Sequence, residues 1–189
     1  MSAPTPAFAE ACDFCHAHLA ELHQHLLDQA GRKLVCVCDA CAILFSDPSQ
    51  KYRRVPRRIK CLPEFRMSDG QWDALMIPIG IAFVFQNSTV NRVMALYPSP
   101  AGPVESLLTL ASWDEIVRDN PELRTLQSDV EGLLVYRVGT AREQFIVPID
   151  ECFKLIGLIR IHWKGFSGGM EMWREIGKFL EHLKERSTK

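Results

Sequence analysis

The chain has almost no charge imbalance. Its 22 Lys and Arg residues face 23 Asp and Glu, a formal net charge of −1 at pH 7. A whole-molecule electrostatic drive toward nucleic acid or an anionic membrane is therefore absent. Long apolar runs are also lacking. The longest apolar-rich stretch, Ala74 to Phe85, contains Pro78 and Gly80 and is too short for a membrane span. Met1 to Glu10 has no basic segment and no apolar run of the kind a secretory leader carries. No internal repeat is present, and no P-loop or full dinucleotide fingerprint is found. The expectation is a soluble, cytoplasmic protein without a membrane span. At 189 residues, 47% hydrophobic and 24% charged, it has room for one full domain and a small appendage.

Cysteine is abundant but unevenly placed. Five of the seven cysteines fall between positions 12 and 41, and four of them form two Cys-x-x-Cys pairs, Cys12/Cys15 and Cys38/Cys41. In a reducing compartment such pairs read as metal ligands rather than disulfides. A Cys-x-x-Cys turn brings two sulfurs within reach of one ion, and two such turns complete a tetrahedral shell. The expected ligands are Cys12, Cys15, Cys38 and Cys41, and the expected ion is zinc, with iron as the competitor because sulfur-only ligation suits both. Cys61 and Cys152 stand apart and read as buried small apolar residues.

Cys36 complicates the ligand count. In an extended segment Lys33 to Cys38, Cys36 and Cys38 point to one face while Val35 and Val37 point to the other. Cα atoms two apart on a strand are about 6.6 Å apart, so both bind one ion only if the backbone bends. Cys36 is therefore a neighbour or an alternate ligand. Two histidines raise a related question. If Leu22 to Asp28 is a strand and the turn is centred on Ala30–Gly31, His25 lies opposite Cys36 and His23 opposite Cys38, flanking the metal face as ligands or as supporting donors. The competing reading is a helix, with Leu19, Leu22 and Leu26 at i, i+3 and i+7 in a stretch ending at Gly31. From pattern alone both stand.

The division expected from composition is a metal-binding module over 1–48 and an α+β domain over 49–189, with 46–58 as a polar, proline-interrupted connection. In the larger part, Ser68-Asp69 caps a short helix through Trp72, Leu75 and Met76. Gly80 to Gln86 and Arg92 to Tyr97 form an antiparallel hairpin. Pro98 to Pro103 reads as a rigid irregular loop. Ser112-Trp113-Asp114-Glu115 matches a capping box, starting a helix that ends before Asn120-Pro121. Leu133 to Val138 and Gln144 to Ile149 are further strands. Asp150 is expected to cap a helix with Phe153, Ile156, Gly157 and Ile161 on one face. Gly168-Gly169 precedes a last helix over about 170–185, striped by Met172, Ile176, Phe179, Leu180 and Leu183.

Three other features bear on chemistry. Lys51, Arg53, Arg54, Arg57, Arg58 and Lys60 form a basic run, which beside a metal module raises nucleic-acid contact; a solvated linker or a charged edge strand accounts for it better. Ser99 and Ser106 lie in or beside the proline-rich loop with no base nearby in sequence, so nothing supports a nucleophilic triad. Gly165 to Gly169 lacks the Lys-Ser/Thr of a phosphate loop and reads as a turn between helices.

The run Cys12-x-x-Cys15, His23-x-His25-Leu26-Leu27-Asp28 and Leu34-x-Cys36-x-Cys38-x-x-Cys41-x-x-Leu44-Phe45 resembles the N-terminal signature of an uncharacterised bacterial family. Tyr97 to Gly102, Val147 to Asp150, and Trp163-Lys164-Gly165 leading to Ser167-Gly168-Gly169 are similar as well, so the resemblance spans nearly the whole chain. It implies a zinc ribbon, and tips the hairpin-or-helix question that way, although His18-Leu19-Ala20-Glu21 replaces a segment where similar sequences carry proline. The family's genes are associated with clusters for uptake nickel-iron hydrogenases, which implies an accessory role in assembly. The expected fold is α+β: a ribbon-like zinc module, then an antiparallel-sheet domain with C-terminal helices. The expected function is a non-catalytic accessory protein acting through a protein partner, with a hydrogenase component as candidate. The alternatives are a zinc enzyme with an open Cys/His site and a nucleic-acid-binding ribbon.

Overall fold

A computed structural model describes residues 10–46, 51–106, 110–165 and 168–188. The chain divides into two compact units, Met1–Val55 and Pro56–Lys189. It is an α+β protein with antiparallel sheets and helices at its C-terminal end.

In the first unit, strand β1 (Gln24–Asp28) pairs antiparallel with β2 (Lys33–Val37), and the short helix α1 (Asp39–Phe45) follows directly. The strand reading holds over the helical one for Gln24–Asp28, while Leu22 and His23 lie ahead of the strand. Asp28 closes the turn: its Oδ1 accepts from the amides of Ala30 and Gly31, both at 3.1 Å, a side-chain turn that competes with helix. The i, i+3, i+7 leucine stripe is not used as a face, since Leu22 is 67% exposed while Leu26 is buried. Strand β3 (Tyr52–Arg54) pairs with the other edge of β1, giving the order β2-β1-β3. Part of the expected 46–58 connection is thus an edge strand of the first unit, while 47–50 lie outside the described residues. The core is small: Cys12, Leu26, Val37, Cys41 and Ala42 are buried together, with Phe14, Leu19 and Tyr52 packed against them.

Among the described residues the second unit holds a six-stranded sheet in the order β4-β9-β8-β5-β6-β7. The strands are β4 (Lys60–Cys61), β5 (Ile81–Asn87), β6 (Arg92–Ser99), β7 (Gly102–Glu105), β8 (Glu131–Tyr136) and β9 (Glu143–Pro148). Central strand β5 is buried on both faces, which is why it reads as a continuous apolar run. Ala82, Val84, Leu133, Val135 and Ile146 pack on one side with Trp113 and Ile116 of helix α3 (Leu110–Asp119). The alternate residues Phe83, Leu134 and Phe145 are also buried. They belong to the opposite face by strand alternation. Helix α4 (Ile149–His162) covers that face and packs on α5 (Gly169–Arg186). At Gly132 an added Cβ would meet Cys152 Sγ of α4 at 3.7 Å.

Four local expectations are corrected. Pro98 to Pro103 is not an irregular loop: β6 runs to Ser99, β7 begins at Gly102, and Pro98 faces Pro103 across the hairpin. Proline is tolerated because β7 is the sheet edge and the β5–β6 ladder has ended at Phe83–Leu96. Gly102 supplies the positive φ, 123°, that the turn requires. The helix expected at Ser112 already runs at Leu110, so Ser112 lies inside it; 107–109 lie outside the described residues. Asp150 does not cap α4, whose N-cap is Pro148, but stands in its first turn. The buried face of α4 is Cys152, Leu155, Ile156 and Ile159, whereas Phe153 and Ile161 are exposed. Ser68 does cap a helix, α2 (Asp69–Asp73), through a reciprocal box with Gln71.

Candidate metal centre

The first Cys-x-x-Cys pair sits in a tight loop ahead of β1. His16 N donates to Cys12 O at 2.9 Å, and Cys12 N to Ala17 O at 2.8 Å. His16 takes the left-handed conformation, φ 60°, that turns the chain back. The second pair is built differently. Cys38 is the N-cap of α1, and its sulfur accepts from Cys41 N at 3.5 Å. Two contacts join the two halves. Asp13, inside the first pair, donates its amide to Cys36 O (2.9 Å) and accepts from Cys36 N through Oδ2 (2.7 Å). Phe14 stacks edge-on against Phe45 of α1, centroids 4.7 Å apart.

The sulfurs of Cys12, Cys15, Cys38 and Cys41 all lie within 4.8 Å of one another, and the Cys15–Cys38 separation is 3.7 Å. That spacing is far beyond a disulfide bond of about 2.05 Å. It matches the roughly 3.8 Å between sulfurs placed tetrahedrally at ~2.3 Å from a common centre. The charges point the same way. Burial raises the Cys12 thiol, but backbone donors at Cys15, Cys38 and Phe14 outweigh it and bring the pKa down to about 6. Burial and the sulfurs of Cys38, Cys15 and Cys12 push Cys41 up to about 12. At Cys15 the Ala17 amide lowers the pKa, yet Cys12 and Cys38 together leave it raised. Four thiols in this space cannot all ionise unaided. A cation at their centre would relieve that repulsion, so the donor set fits a thiophilic metal ion.

Cys36 is not in this group. Val37 is buried in the core with Cys12 and Cys41, while Cys36 faces His25 across the β1–β2 ladder and gathers with His23 and His25. The ladder ends at Gln24–Val37, one step short of the expected His23–Cys38 pair. Asp13, which clamps the Cys36 backbone, is a site residue that sequence reasoning missed. Its only signal was a short acidic side chain within a Cys-x-x-Cys turn.

The other candidates disperse. Of the basic run, Lys51 pairs with Asp28 at 3.2 Å, Arg54 donates to Gln24, and Arg58 forks onto the fully buried Glu131 at 2.5 and 2.7 Å. Ser99 donates to Gly102 O within its own turn, and buried Ser106 donates to Leu75 O. Cys152 is buried as expected, Cys61 only partly. A cleft of about 220 Å³ in the second unit is lined by Lys60, Cys61, Phe65 and Asn120, but Asn120 is committed to Arg66 and Ile116. No described helix is long and apolar enough to cross a membrane.

Fold and site together define an α+β protein whose N-terminal ribbon-like unit carries a four-cysteine cluster able to hold a metal ion. Residues 11–187 match the Family of unknown function (DUF5947), and the chain belongs to that family. No curated protein and no solved structure matches it.

Proposed function

We propose that Cys12, Cys15, Cys38 and Cys41 bind one structural zinc ion, and that the protein is a non-catalytic accessory factor acting through a protein partner in the cytoplasm. One observation carries this reading: four sulfurs within 4.8 Å of one another, enough to fill one ion's shell with no position left for a reacting water. The first unit also presents apolar surface on α1, where Ile43 and Leu44 are each 71% exposed. Such surface suits docking on another protein better than chemistry on a small molecule. The resemblance noted above points to a component of uptake nickel-iron hydrogenase, or of its assembly machinery, as that partner. Nucleic acid is the weaker alternative, because Lys51, Arg54 and Arg58 are engaged within the protein.

The test is purification of the tagged protein from its native cell, with metal analysis and identification of bound proteins on the same sample. One tightly held zinc and a hydrogenase-related partner, lost when Ile43 and Leu44 are changed to serine, are expected. A metal-free, fully folded protein, or capture unaffected by those changes, would overturn the reading. A second reading, a zinc enzyme, is favoured by one observation only, the His23–His25–Cys36 group. Substrate turnover abolished by His25→Gln would support it.

A further inference from the structure

We infer that His23, His25 and Cys36 form a second metal site, distinct from the four-sulfur cluster, which takes an exchangeable divalent ion of the zinc class. One nitrogen from each histidine and the Cys36 sulfur lie within 4.8 Å of one another. Ligands around a tetrahedral zinc are about 3.3–3.7 Å apart, so closure needs only a small side-chain adjustment. Backbone geometry sets this up. His25 and Cys36 are directly opposed across the β1–β2 ladder, and His23 lies just ahead of β1 with its ring centroid 4.7 Å from that of His25. The cysteine-bearing core, with Leu26 and Val37, packs on the other face.

His23 gives the independent sign of a ligand. Its side chain is only 7% exposed. Its Nδ1 lies 2.9 Å from Ala20 O, and a carbonyl oxygen can only accept, so Nδ1 carries the hydrogen. In that tautomer Nε2 is left as a bare lone pair. It is buried with no hydrogen-bond partner among the described residues. A buried acceptor without a donor is costly. An imidazole whose outer nitrogen is held by a carbonyl, leaving the inner one bare, is the usual arrangement of a metal-bound histidine. Glu10 Oε2, 3.6 Å from the same Nδ1, adds negative charge behind the ring.

Two imidazoles and a thiolate suit zinc-class ions. Three protein ligands leave the fourth position open to water or to a donor from another molecule, and open sites exchange their ion more readily than closed ones. Asp13 links the two sites. It sits within the Cys12–Cys15 turn and holds both backbone groups of Cys36. Loading the sulfur cluster therefore fixes the strand that carries Cys36, and the cluster fills first.

The test uses the full-length reduced protein, stripped of metal and titrated with Co²⁺ and, separately, Zn²⁺. Two equivalents are expected. The first brings the intense sulfur-to-cobalt charge-transfer band of four thiolates; the second adds a weaker band and shifts the ring signals of His23 and His25. His25→Gln and Cys36→Ser should each keep the first equivalent and weaken the second at least tenfold. Because the wild-type titration reads the rings directly, the outcome does not depend on a variant folding. Saturation at one equivalent with unmoved histidine signals would overturn the second site alone and leave the four-sulfur reading standing. Loss of the first equivalent in Cys36→Ser would overturn it too, by assigning Cys36 to the cluster. Failure to bind any ion would remove both sites.

Discussion

The two units stand on different foundations. In the second, Phe83, Leu133, Leu134, Phe145, Ile146, Leu155 and Ile159 fill a core on both faces of the sheet. In the first, the buried cluster is Leu26, Val37 and Ala42 with two cysteines, Cys12 and Cys41. Both groups of described residues able to hold an ion lie in that unit. So small a core cannot offset the conformational entropy of ordering a few dozen residues, and units of this size commonly rely on a metal. The larger unit has the apolar area to dispense with one. Cysteine at a core position is a neighbour competing for charge in one unit, while in the other Cys152 is a buried thiol that desolvation pushes well up.

The largest effect should come from removing the staple. Cys12→Ser with Cys38→Ser is expected to abolish the folded first unit at any metal concentration. Amide NMR signals from residues 10–55 would collapse to unfolded positions while those of the second unit persist. Retention of both sets would break the comparison. Next is Arg58→Ala, which strips the fully buried Glu131 carboxyl of its guanidinium partner and leaves it the Gln127 amide. A cost of about 3 kcal/mol to the second unit is expected, read from its urea midpoint. Asn120→Ala follows, at about 2 kcal/mol. That side chain bonds both backbone groups of Arg66 and the Ile116 carbonyl, and its loss strands buried polar groups. The smallest is Ser68→Ala, about 1 kcal/mol, from losing the α2 cap. The last three shifts should be the same with and without a chelator; a chelator-dependent shift would show that metal also supports the second unit.

What the sequence made legible follows the same division. Strand β5 stood out because both its faces are buried, and the hairpin placing His25 opposite Cys36 could be counted from the Ala30–Gly31 turn. The grouping of four cysteines was legible because ligand spacing is local. Features set by tertiary context were not. The proline rule hid the β6–β7 hairpin, since edge position is a property of the sheet rather than of Pro98 or Pro103. The α4 face was misread because apolar residues occur on several sides of that helix, and because Glu151 is buried by pairing with Arg186 and Lys154. Arg58 looked like a solvated linker charge, and only the fold shows its partner 73 residues away. His23 could be placed near the metal face from the turn, but the Ala20 carbonyl that sets its tautomer could not be counted from sequence.

Hydrogen exchange on the intact chain, with one equivalent of zinc and then with excess chelator, tests the central claim most directly. Protection in β1, β2 and α1 is expected to vanish on chelation, while protection in β5, β8 and β9 is unchanged. Protection of β1 and β2 that survives chelation would contradict the claim that a metal ion holds the first unit together.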